Sequence, residues 1–137
     1  MAKTTKSKID YKYASGRRRT ASVRVRLHKG RKENLVNDIV IGKYFPGEVM
    51  REAWQRPFDL TQTLGKYYIT ARVMGGGKKG QLDGVVHATA KALVLESEKF
   101  KSALKGAGLL TRDSRIRERR KVGTGGKARR QKQSPKR

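Results

Sequence analysis

Two periods of apolar and polar residues run through the middle of this chain. Ala21, Val23, Val25 and Leu27 alternate with Ser22, Arg24, Arg26 and His28, the period-2 pattern of a half-buried strand. The polar side of that strand is basic, which leaves it open to phosphate. Residues 67–74, YYITARVM, are rich in aromatic and β-branched types and read as a second strand. They run into the loop Gly75-Gly76-Gly77-Lys78-Lys79-Gly80. Beyond it Leu82, Val85, Val86, Thr89, Ala90, Leu93 and Val94 fall on one helical face, which predicts a helix over 81–96 that covers the sheet.

Shorter patterns fill the remainder. Gly30 and the polar residues up to Asn34 read as a turn, and Asp38-Ile39-Val40-Ile41 as a short strand ended by Gly42, which makes a hairpin-like start. Pro46 is expected to open a short helix with the stripe Val49, Met50, Ala53 and Trp54, closed by Pro57. Trp54 reads as core and not as a platform for a base. Phe100, Ala103 and Leu104 suggest a further helical turn or two, stopped by Gly106 and Gly108. After Thr111 there is little apolar besides Ile116 and Val122, too little to offset the ordering entropy of the segment. The expected organisation is a disordered basic lead-in over 1–10, a globular α+β domain over 11–110, and an extended Arg/Lys-rich tail over 111–137.

Charge changes this picture from a small globule to a polyanion binder. Lys and Arg number 35 against 11 Asp and Glu, for a formal charge of +24. Residues 1–32 hold 12 basic and 1 acidic side chains, residues 33–110 hold 11 and 8, and residues 111–137 hold 12 and 2. A near-neutral centre can pack, whereas the two strongly charged ends repel themselves until a partner neutralises them.

Several chemistries drop out. There is no Cys, and two His make a poor metal set, so no metal site is expected. No apolar stretch approaches a membrane span, and the opening residues are too short for a transit peptide, so no membrane partner is expected and the location is the cytosol or an organelle interior. Gly75, Gly77 and Gly80 match G-x-G-x-x-G between a strand and a helix. A dinucleotide fold needs a further parallel strand ending in an acidic residue, and here Arg-rich chain follows. Gly80 is followed by Gln81-Leu82 and not by Lys and a hydroxyl residue, so the P-loop pattern fails as well. His87 with Asp83 one turn earlier is an ordinary helix-surface pair before it is an acid–base dyad. We therefore expect no catalytic residues, no cofactor and no small-molecule substrate.

What the residues do support is phosphate binding. Gly75, Gly76, Gly77 and Gly80 permit close backbone approach to a nucleic-acid phosphate, and the helix N-terminus at Gln81, beside Lys78 and Lys79, offers amide donors and cations to an anion. Arg17, Arg18, Arg19 and Thr20 precede the first clear strand. Arg112, Arg115, Arg117, Arg119, Arg120, Lys121, Lys127, Arg129 and Arg130 fill the tail. Arg outnumbers Lys there, which favours bidentate phosphate contacts and stacking on bases. At roughly 3.3 Å per residue the segment 112–137 spans on the order of 85 Å when extended. Neutralising about ten phosphates would give log affinity a salt slope near −9 on a duplex and somewhat shallower on single strands.

These motifs occur in a familiar order. Tyr13-Ala14-Ser15-Gly16-Arg17-Arg18-Arg19-Thr20-Ala21, Gly75-Gly76-Gly77 with Gly80-Gln81, His87 with Ala90-Lys91-Ala92-Leu93, Leu110-Thr111-Arg112-Asp113-Ser114-Arg115, Glu118-Arg119-Arg120-Lys121, Gly126-Lys127-Ala128-Arg129-Arg130 and the terminal Ser134-Pro135-Lys136-Arg137 resemble the family of the ninth protein of the small ribosomal subunit. The similarity covers about residues 11–137. It implies an α+β fold in two layers, a sheet backed by helices as in the second domain of ribosomal protein S-five, with an extended basic C-terminal tail. It further implies a place on the subunit head, bound to 16S-class rRNA of the 3′ major domain beside neighbouring head proteins, on a cytoplasmic or organellar ribosome. In that family the tail threads toward the peptidyl-site tRNA, and Lys136 and Arg137 match its last basic positions. A free-standing RNA- or DNA-packaging protein remains the alternative at this point.

Overall fold

The computed structural model describes residues 10–121. Its five-stranded sheet has the order β1-β2-β5-β3-β4, formed by β1 (Tyr11–Arg18), β2 (Ala21–Lys29), β3 (Leu35–Val36), β4 (Ile39–Val40) and β5 (Tyr67–Met74). Neighbours run antiparallel except β3 and β5, which are parallel. The helices are α1 (Ile41–Tyr44), α2 (Glu48–Thr61), α3 (Lys78–Glu96) and α4 (Lys101–Gly106), with a 3-10 turn over Glu98–Phe100 before α4. The molecule is therefore α+β, a sheet with its helices on one face.

The alternation in β2 places Val23, Val25 and Leu27 on the covered side, where they are fully buried beside Ile69, Ala71 and Val73 of β5. Helix α3 lies on β1 and β2 and carries α2 on its flank. It is buried on more than the one face expected: Gly84, Ala88 and Ala92 join Leu82, Val85, Ala90 and Leu93. Their small size lets the helix sit against the strands. A Cβ on Gly16 of β1 would collide with the Gly84 carbonyl oxygen, and one on Gly84 would stand 2.7 Å from Val23 Cγ2.

Three expectations require correction. The strand assigned to 38–41 reduces to Ile39–Val40, because Asp38 lies in a turn and Ile41 and Gly42 begin α1. The turn is formed by Asn37 (φ 50°) and Asp38 (φ 66°), whose left-handed pair matches the twist of a two-residue hairpin. The partner strand of that hairpin is β3, so β2 pairs instead with β1 and β5. Pro57 does not close the second helix; α2 runs through it to Thr61. An interior proline costs about 3 kcal/mol, but Phe58 beyond it is 1% exposed, and burying such a side chain returns about 1.5–3 kcal/mol. Helix α3 starts three residues before the expected Gln81 and so takes in Lys78, Lys79 and Gly80. Trp54 is 7% exposed and belongs to the core.

Candidate nucleic-acid interface

Three stretches distant in sequence meet at one end of the molecule. The first is the β1–β2 turn, where Arg18 pairs with Ala21 and Arg19 and Thr20 form the loop. Arg19 adopts φ 55°, a conformation that costs a residue with a Cβ about 1–2 kcal/mol. The second is the glycine loop after β5. Gly75 (φ 72°) and Gly76 (φ 62°) pack directly on this turn, since added Cβ atoms would stand 2.8 Å from the Thr20 oxygen and 3.0 Å from the Ala21 nitrogen. Their lack of a side chain thus already serves the chain's own close approach. The third is the start of the tail. Arg18, Arg19, Arg115 and Arg117 line one open hollow, and Arg17, Arg18, Lys79 and Arg115 line an adjoining cleft of about 410 Å³.

Arg18 joins the parts. Its guanidinium, with the side chain only 14% exposed, lies 3.2 Å from Asp113 and 3.7 Å from Asp83, and Nη1 donates to the Arg115 carbonyl at 3.0 Å. Asp113 is held from the other side by Arg115, whose backbone N, Nε and Nη2 all donate to its carboxylate. The Arg115 bonds first, and the Arg18 charge further off, hold the pKa of Asp113 far below the usual carboxylate range. Just before, His87 Nε2–H donates to the Leu110 carbonyl at 3.2 Å. A carbonyl only accepts, so Nε2 carries the proton, and the buried Nδ1 has no partner among the described residues. Burial lowers the His87 pKa from its ordinary 6.5. Asp83 faces Arg18 in this arrangement.

The sequence candidates divide by what they touch. Arg17, Arg19 and Thr20 are exposed at the turn, and Arg112, Arg117, Arg119 and Arg120 are exposed along the strand-free segment beyond α4; Lys121 lies at its end. Lys79 lines the cleft, and the amides at the start of α3 have no side-chain cap. Lys78 instead turns away, donating to the Tyr44 carbonyl at 2.7 Å and lying over the Tyr44 ring. Gln81 accepts from the Tyr44 hydroxyl at 2.7 Å and donates to the Gly75 carbonyl at 3.0 Å, so it holds the glycine loop in shape; Gly77 and Gly80 flank the helix start. Lys127, Arg129, Arg130, Lys136 and Arg137 lie outside the described residues. Among the described residues no three His, Asp or Glu side chains are grouped to hold a metal ion, and no helix is long and apolar enough to cross a membrane. The sequence reading missed Asp113 as an organiser. An acidic residue two positions before an Arg, inside an otherwise basic run, was the available signal.

A family model described as ribosomal protein S9/S16 matches residues 16–137 of this chain. Relatives include the small ribosomal subunit protein uS9 of Rickettsia rickettsii strain Sheila Smith, 43% identical over 124 residues that cover 88% of this chain and 78% of that protein. The protein of the same name in Maridesulfovibrio salexigens is 43% identical over 117 residues, covering 85% and 90%. That of Rickettsia felis is 42% identical over 124 residues, covering 88% and 77%.

Proposed function

Because this chain belongs to the ribosomal protein S9/S16 family, and so is a structural component of the small ribosomal subunit, we propose that its basic turn and tail root grip rRNA of the subunit head while its C-terminal tail reaches the peptidyl-site tRNA. The observation that carries this reading is the convergence of the turn at 17–20, the start of α3 and the tail root at one end of the fold. Each segment alone is an ordinary charged surface. Together they form a concave cationic patch from which the tail departs, so an RNA held at the patch lies against the tail from its first residue.

The chemistry is positioning by charge and needs no reaction step. Arg17, Arg19, Arg117, Arg119 and Arg120 offer planar donor forks to phosphate oxygens, and Lys79 adds a cation beside the uncapped α3 amides. Lys127, Arg129 and Arg130 extend the same contacts along rRNA, and Lys136 and Arg137 meet the tRNA backbone. The partners are thus 16S-class rRNA of the 3′ major domain, neighbouring head proteins and the tRNA, on a cytoplasmic or organellar ribosome. Deleting Lys136 and Arg137 should lower retention of tRNA at the peptidyl site in a filter-binding comparison while the protein still enters subunits. Unchanged tRNA affinity would reject the tail assignment.

A further inference from the structure

The sheet face opposite the helices is uncovered, and its side chains form ladders across β1, β2 and β5. The register gives Tyr11–His28–Tyr68, Tyr13–Arg26–Thr70, Ser15–Arg24–Arg72 and, at the end, Ser22–Met74. The first ladder is closed on itself: His28 stacks on Tyr68 at 4.8 Å and 13°, and Arg26 lies over the Tyr11 ring at 5.0 Å. Beside it opens a groove of about 500 Å³, lined by Tyr13, Arg24, Arg26, Arg72 and Met74 among others.

This groove brings together two features. Arg24 and Arg72 stand directly opposite one another on neighbouring strands, and like charges so placed weaken the pairing. Asp38 relieves Arg72 at 3.0 Å, but among the described residues Arg24 has no ion-pair partner. Next to these cations lie Tyr13, 49% exposed, and Met74, 75% exposed. A guanidinium pair beside an open ring and a thioether suits one ligand chemistry: a phosphate attached to a flat aromatic base.

We propose that the groove is a second RNA site, which takes an unpaired nucleotide with its phosphate between Arg24 and Arg72 and its base against Tyr13 and Met74. This rests on the RNA-binding reading above and extends it from the basic end to the sheet face. The fold then has two RNA surfaces, and an acidic protein segment is the competing occupant that the test must separate.

The test uses the full chain and a transcript of the small-subunit 3′ major domain, with filter binding over a range of salt. Arg24→Gln should weaken binding about tenfold and flatten the salt slope by roughly 0.7, with the thermal midpoint unchanged or raised because the like-charge pair is gone. Tyr13→Ala should weaken binding roughly tenfold with the slope unchanged, and Met74→Ala, at a more exposed position, checks the same loss without disturbing the edge strand. Wild-type affinity in Arg24→Gln and Met74→Ala overturns the groove alone. So does wild-type affinity for the transcript combined with poor entry into reconstituted subunits, which assigns the groove to a protein. A wild-type chain that does not bind the transcript overturns both this site and the reading it rests on.

Discussion

Single residues at the join of β1, β2 and α3 carry unusual constraint. Gly16 faces the backbone of α3 at Gly84, with the Ala88 nitrogen 3.0 Å from where its Cβ would stand, and helix backbone cannot move aside as a flexible side chain could. Gly16→Ala should therefore cost about 1–3 kcal/mol, measurable as a lower urea midpoint; an unchanged midpoint would mean the helix can retreat freely. His87 supplies a pH prediction. Its folded pKa is lowered mainly by burial, as is that of His28, where Arg26 and Lys32 add to the effect. The unfolded chain therefore binds protons more readily, so stability is full above about pH 6.5 and falls as the pH drops below it. The thermal midpoint should decline between pH 7 and pH 5. His87→Gln, which keeps a donor for the Leu110 carbonyl and removes the titration, should decline less. An equal decline would remove His87 from the account.

At the scale of elements, the tail root is the part whose structure depends on a few polar bonds. No strand or helix follows Gly106 among the described residues, and the chain is fastened to the body through His87–Leu110, Arg18–Asp113 and Arg18–Arg115. Asp113→Ala should free the backbone at Arg112 and Arg115 to enter the trypsin cleft, raising the initial cleavage rate severalfold while the body's thermal midpoint moves little. A cleavage rate equal to that of the wild type would show that Asp113 does not hold the root. How legible these elements were follows from the same physics. Strands β2 and β5 and helix α3 were readable because large apolar side chains mark their period. Strand β1 was missed because its buried positions are Ala14 and Gly16, which carry almost no hydropathy signal, and the second buried face of α3 was missed for the same reason. Strand β3 is two residues long, and its hairpin rests on Asn37 and Asp38, whose side chains suit left-handed turns without spelling one out. Pro57 misled because local propensity was overridden by burial of Phe58.

For the whole molecule, the residues that the sequence marks for phosphate binding have different jobs. Arg18 is a strut, Lys78 and Gln81 brace α1 and the glycine loop, and Arg17, Arg19 and Arg117 are left exposed. Type and clustering pointed to a polyanion as the partner; only the fold separates the arginines that build the surface from those that face outward. The division also explains how 35 basic side chains are tolerated, since some, such as Arg18, are paired with the 11 acidic ones and most of the net +24 is gathered toward the two ends, where a partner can neutralise it. The measurement that bears most directly on this account is co-sedimentation of the full chain with small ribosomal subunits through a sucrose gradient at physiological salt. The account predicts that the protein migrates in the subunit peak. Protein that stays at the top of the gradient while subunits move away from it would contradict the account.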